Sequence, residues 1–131
     1  MHNHYHLLVS IGGGGLSAGM HDLNHSHAIT FNARHERINH LFGKRYWSRH
    51  LTDDAALVAA ARYIVQNPVR AGIATLDGYE WSSYRATVGL EFAHMALSAD
   101  ELLAFFGQTP EAGVREYSSF CRGTPNPAEV A

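Results

Sequence analysis

Four side chains able to do chemistry lie at two places in this 131-residue sequence. His4-Tyr5-His6 is close to its start, and Tyr63 and Asn67 are four residues apart in Ala59-Ala60-Ala61-Arg62-Tyr63-Ile64-Val65-Gln66-Asn67. In His4-Tyr5-His6-Leu7-Leu8-Val9 the alternation and the β-prone residues predict a strand, with His4 and His6 on one face and Tyr5 on the other. Two imidazoles side by side make a donor pair for a divalent metal. The spacing of four predicts a shared helical face for Tyr63 and Asn67. A phenol and an amide carbonyl then lie together, beside the histidines if strand and helix pack. Each residue also has a plainer reading. His-x-His is commonly an exposed pair, a helix tyrosine commonly packs its ring on the core with its hydroxyl in water, and a residue before proline commonly ends a helix.

The elements that must position these groups follow from punctuation and period. Gly12-Gly13-Gly14-Gly15 breaks the first strand from a helix that begins near Ser17, with Leu16, Met20, Leu23, His27 and Phe31 as its buried stripe. No Lys-Ser or Lys-Thr pair follows the glycines, so they read as a hinge and not as a phosphate loop. Residues 40–51 interleave aromatic and basic side chains and predict a second strand. Thr52-Asp53-Asp54 caps the helix that carries Tyr63, which Pro68 and Gly72 end. Residues 81–84 form a short segment that packs back on the core. Ser98-Ala99-Asp100-Glu101 starts a short helix reaching residue 106, and Thr109-Pro110-Glu111 starts another that ends near Arg122. Residues 123–131, with two prolines, read as a disordered tail.

Composition fits one small domain with one core, at 46% hydrophobic and 17% charged residues. No apolar run approaches the ~20 residues that cross a bilayer, which leads to the expectation of a cytoplasmic protein with no membrane partner. The single cysteine, Cys121, excludes an internal disulfide and a cysteine-based zinc site, and reads as a buried thiol. The scattered His2, His21, His25, His27, His35, His40 and His50 suggest no second site. The formal charge of −2 is unevenly spread: residues 34–85 hold eight Lys or Arg against five acids, and residues 86–131 hold two against six.

Taken in order, several strings resemble the HUH single-tyrosine transposases of insertion sequences and their REP-associated relatives. His4-Tyr5-His6 matches the His, bulky apolar, His pattern, within Asn3-His4-x-His6-Leu7-Leu8-Val9. Leu16-Ser17-x-x-Met20-x-x-Leu23-Asn24 and Phe31-Asn32-x-Arg34-His35 follow. His40-Leu41-Phe42-Gly43-x-Arg45-Tyr46-x-Ser48-Arg49 is similar to a basic strand of the family, and Arg62-Tyr63-Ile64-Val65-Gln66-Asn67-Pro68-Val69-Arg70-Ala71-Gly72 is the most specific piece. Trp81-Ser82-Ser83-Tyr84-Arg85 continues the match, which covers roughly residues 1–90.

The resemblance implies an α+β fold. It would be a truncated ferredoxin-like domain, with a short antiparallel sheet carrying helices on one face and a helical C-terminal tail. Residues 1–90 would be the catalytic portion, residues 91–122 the helical extension and residues 123–131 the tail. The family carries a β-α-β unit before the HUH strand, whereas this sequence starts on that motif, which implies a shortened domain with a sheet edge that a homodimer could cover. Tyr63 would be the nucleophile, and His4, His6 and the Asn67 carbonyl would hold a divalent metal ion, Mg²⁺ or Mn²⁺, with imidazole donors suiting Mn²⁺ better. Single-stranded DNA hairpins are the implied partner, nicked and joined through a 5′-phosphotyrosine. Phosphates would be held by Arg34, Arg37, Lys44, Arg45 and Arg49, with Tyr46 and Trp47 for base stacking. Strand alternation would put Lys44 and Tyr46 on one face and Arg45, Trp47 and Arg49 on the other. The alternative expectation is a catalytically inactive remnant that at most binds DNA hairpins or metal.

Overall fold

The computed structural model describes residues 1, 3–13 and 15–123. The expected disordered tail therefore lies, from residue 124, outside the described residues. Five helices follow one another: α1 (Leu16–Arg34), α2 (Asp54–Arg70), α3 (Tyr84–Thr87), α4 (Ala99–Leu103) and α5 (Pro110–Arg122). No strand forms among the described residues, and their backbone hydrogen bonds run within helices, caps and turns. The expected α+β, ferredoxin-like fold with an antiparallel sheet is thus overturned. The physical reason is that alternation and β-propensity describe a residue that fits a sheet, and are realised only when a neighbouring strand takes up the backbone N–H and C=O groups. Residues 4–9 and 40–50 have no such neighbour among the described residues and remain irregular.

The chain divides into two compact units, one made of Met1–Leu8 with the chain from Leu51 onward and the other of Val9–His50. The core described by buried residues belongs to the first: Val65, Leu76, Tyr84, Leu103, Tyr117 and Cys121, flanked by Val88, Leu102, Phe106, Val114 and Phe120. Here α5 packs on α2 and α4, and α4 on α3. Asp53 caps α2 as its sequence predicts, accepting from the Ala56 amide at 2.8 Å, and Thr109 caps α5 in the same way at 3.2 Å. Pro68 lies inside α2, which runs two residues beyond it, and Gly72 at φ 67° turns the chain just past the end. Tyr84 is fully buried, so the segment after Trp81 does pack back, though Trp81 itself is 86% exposed.

Polar side chains of α2 fasten it to α5. Arg62 is buried with its guanidinium 4.5 Å from the Phe120 ring centre, and it donates to the Gly123 carbonyl. Gln66 Nε2 donates to the carbonyls of Cys121 at 2.6 Å and Gly123 at 3.3 Å. Carbonyls at a helix C-terminus have no partner within the helix, and two cross-helix donors supply one here. Burial in the same region pushes the Cys121 thiol up to about 11 and the Tyr117 phenol higher still than its ordinary value.

Gly113, inside α5, meets the Leu103 backbone so closely that an added Cβ would stand 2.8 Å from the Leu103 carbonyl oxygen. A helix-interior glycine ordinarily gains from replacement by alanine. Here the sign reverses: Gly113→Ala is expected to destabilise the protein by about 1–3 kcal/mol through overpacking, read as a lower melting temperature in circular dichroism.

In the second unit α1 departs from its expected stripe. Met20 is its one buried residue, while Leu23 is 51% exposed. Histidine, asparagine and serine occur all round the helix, so it has no continuous apolar face to bury. Its C-terminal half carries a ladder of rings, with His27 6.0 Å and His35 4.3 Å from Phe31.

Candidate metal and nucleophile site

The imidazoles of His4 and His6 have centres 5.1 Å apart, with planes at 88°. A metal–nitrogen bond of about 2.1 Å puts a ligating ring centre roughly 3.2 Å from the ion. Two rings on one ion then lie roughly 4.5 to 6.4 Å apart as the angle at the metal opens from a right angle to a line. The pair falls inside that span without the strand that was expected to align it. Asn3 Oδ1 accepts from His4 Nδ1 at 2.7 Å, which places the His4 proton on Nδ1 and leaves a lone pair on Nε2. Burial, reinforced by the neighbouring His4, lowers the pKa of His6 and favours its neutral, ligating form.

Tyr63 joins this pair from a position 57 residues away in the sequence. Its ring meets His6 edge-on, with centres 5.6 Å apart and planes at 82°, and the Arg70 guanidinium lies 5.8 Å from its ring centre. Ala61, Arg62, Val65, Gln66 and Pro68 are the buried residues of α2, whereas Tyr63 is 39% exposed. The nucleophile candidate is thus carried by a helix whose other side is fixed to the core. The Met1 amino group donates to the Tyr79 hydroxyl, which fastens the segment bearing the histidines within the same unit.

Asn67 stays helical despite the following proline, one turn from Tyr63 on the same face by spacing. Its side-chain nitrogen is buried without a hydrogen-bond partner among the described residues. Among the described residues no group of three or more His, Cys, Asp or Glu gathers around a common point. The donors brought together are therefore the two imidazoles of His4 and His6, and Asn67 is tied to Tyr63 by helical spacing alone.

The other expected site residues belong to the second unit. Arg34 ends α1, and the Arg37 guanidinium lies 5.8 Å from the Phe31 ring centre. Lys44, Arg45, Tyr46, Trp47 and Arg49 are all exposed on an irregular segment, with Trp47 82% exposed. The absence of a strand there corrects the expected alternation: pleating does not divide these side chains between two faces. Sequence reasoning missed Asn3 and Arg70. Asn3 is adjacent to His4, and Arg70 stands seven residues after Tyr63, which is two helical turns along one face.

No helix among the described residues is long and apolar enough to cross a membrane. Comparison with protein-family models, with curated proteins and with solved structures finds no match.

Proposed function

We propose that this protein nicks and joins single-stranded DNA hairpins through a covalent 5′-phosphotyrosine on Tyr63. The observation that carries the reading is the gathering of two imidazoles and a half-exposed phenol from distant parts of the sequence. Tyr63 Oη attacks the phosphorus, forming the tyrosyl O–P bond while the bond to the 3′ oxygen breaks. The phenolic proton is given up and the departing 3′ oxygen takes one. The phosphoester is conserved, so a 3′-OH can attack in turn and restore a DNA strand. His4, His6 and the Asn67 carbonyl would hold a divalent ion, which when bound supplies positive charge against a non-bridging phosphate oxygen. Arg70, beside the Tyr63 ring, adds fixed positive charge where the phosphate would sit.

The reading places the protein in the cytoplasm. A second copy of the chain is a further proposed partner, now on the exposed Tyr5, Leu7 and Leu8 in place of a sheet edge. The lack of a sheet beneath the histidines among the described residues favours a second reading, in which the chain binds hairpins or metal without strand transfer. A labelled hairpin oligonucleotide incubated with Mn²⁺ or Mg²⁺ separates the two. Strand transfer leaves a 3′-OH that a polymerase extends and a 5′ end blocked by protein. Retention of the intact oligonucleotide with no cleavage would leave only the second reading.

Hairpin binding, under either reading, draws on the exposed cations of residues 34–49 in spite of the negative net charge. Affinity is expected to fall with salt as phosphate contacts release counterions. Replacing Lys44, Arg45 and Arg49 by Gln should flatten the log–log slope by roughly 0.7 for each phosphate no longer neutralised. Filter binding between low and moderate salt measures this, and an unchanged slope would place the DNA-binding cations elsewhere in the chain.

A further inference from the structure

The second unit, Val9–His50, concentrates both imidazole and positive charge. It holds six of the ten histidines and five Lys or Arg against two acids, so its net charge of +3 becomes +9 when the imidazoles are protonated, while the rest of the chain carries −5. All six of these histidines are exposed. Two of them are built into one face. His27, Phe31 and His35 recur at intervals of four, with the Phe31 ring centre 6.0 Å from that of His27 and 4.3 Å from that of His35. The segment after α1 folds back along it, where Asn32 Nδ2 donates to the Asn39 carbonyl at 2.9 Å. It sets the Phe42 ring 6.1 Å from His27 and the Arg37 guanidinium 5.8 Å from the Phe31 ring centre. Half-buried Phe31 and Phe42 thus carry two exposed imidazoles. The other charged or titratable groups about them are Arg34 and Glu36 at the end of the helix and Arg37, His40 and Lys44 on the returning segment, with Glu36 the one acid.

We infer that His27 and His35, with Arg34 and Arg37 beside them, form a proton-dependent site for the phosphates of a nucleic-acid single strand. The site rests on the hairpin-binding reading of residues 34–49 and is independent of the chemistry of Tyr63. A neutral imidazole has one N–H to offer a phosphate, whereas an imidazolium has two and a full charge. A phosphate in contact favours that charged form, so binding takes up protons and affinity rises as pH falls through the range of about 8 to 5 in which histidine ordinarily titrates. Eight residues of helix span about 12 Å, so the two rings meet separate phosphates of a strand. The occupant is a nucleic-acid strand and not an acidic protein or a lipid surface, because exposed Tyr46 and Trp47 in the same unit give its bases a stacking surface.

The test titrates the full chain with a radiolabelled single-stranded hairpin oligonucleotide at about pH 7.5 and about pH 5.5, each over a range of salt. Lowering the pH is expected to tighten binding about tenfold and to steepen the log–log salt slope by roughly 1.4, about 0.7 for each imidazole that neutralises a phosphate. His27→Gln with His35→Gln should remove both changes. His21→Gln with His25→Gln should keep them, since it deletes as many imidazoles from earlier turns of α1, where His25 lies about 200° around the axis from His27. Glutamine is the better helix former, so neither variant is expected to unravel α1. Calorimetry of the unsubstituted chain in two buffers of different ionisation enthalpy should also show proton uptake on binding. Equal loss of pH dependence in the two double variants would reduce the site to bulk charge and overturn the proposal. So would binding at both pH values with the same affinity and no proton uptake. Binding only at the lower pH, lost with His27 and His35, would uphold the site and remove the reading of residues 34–49 at neutral pH, whereas no binding at either pH would remove both.

Discussion

Tyr63→Phe is expected to abolish covalent attachment to DNA while leaving hairpin affinity unchanged. The substitution removes one oxygen and keeps the ring that meets His6 and lies near Arg70, so the fold has little cause to change. Loss of a catalytic nucleophile lowers turnover on the scale of about 10⁶-fold, and no other tyrosine is placed to substitute. Tyr84 and Tyr117 are buried, with the Tyr84 hydroxyl bonded to Ser118 Oγ at 3.0 Å. Tyr79 accepts from the Met1 amino group. Tyr46 and Tyr5, the latter between His4 and His6, are on irregular segments, whereas Tyr63 is held by a helix fixed to the core. A denaturing gel of protein with labelled hairpin DNA and Mn²⁺ reads the result, and binding measured in parallel keeps a folding defect distinct from a chemical one.

His4→Ala and His6→Ala are each expected to weaken Mn²⁺ binding by about 10²-fold, because each turns a two-ring chelate into a single ligand. The effect should be smaller for Asn3→Ala, about tenfold, since Asn3 only fixes which nitrogen of His4 carries the proton. The graded pair of effects distinguishes ligation from general loss of structure. Calorimetric titration measures all three variants, and equal affinity throughout would remove the site. Removal of the ion with a chelator should leave the core unaffected, since Val65, Tyr84, Leu103, Tyr117 and Cys121 pack without reference to the histidines.

The helices bearing strong local signals were legible in the sequence. Asp53 and Thr109 both cap where side-chain chemistry predicts, and α5 starts and stops where expected. The absence of strands among the described residues was not legible. Residues 4–9 alternate as a strand does, but pairing depends on partners remote in sequence, which a local pattern does not contain. The stripe assigned to α1 failed for a related reason: a period of 3.6 marks a face that can be buried, not one for which a partner exists. Chemical type and spacing singled out His4, His6 and Tyr63, whose rings lie next to one another, His4 beside His6 and His6 beside Tyr63, without a sheet among the described residues.

Under the proposed function, Tyr63 forms a bond to DNA phosphorus. Its most direct test is mass spectrometry of the protein after incubation with a single-stranded hairpin and Mn²⁺, followed by denaturation, nuclease trimming and peptide mapping. A nucleotide remnant joined through a 5′ phosphate to the peptide containing Tyr63 is expected, present with Mn²⁺ and absent after chelation. A remnant on any other residue, or none at all under conditions where the hairpin is bound, would contradict it.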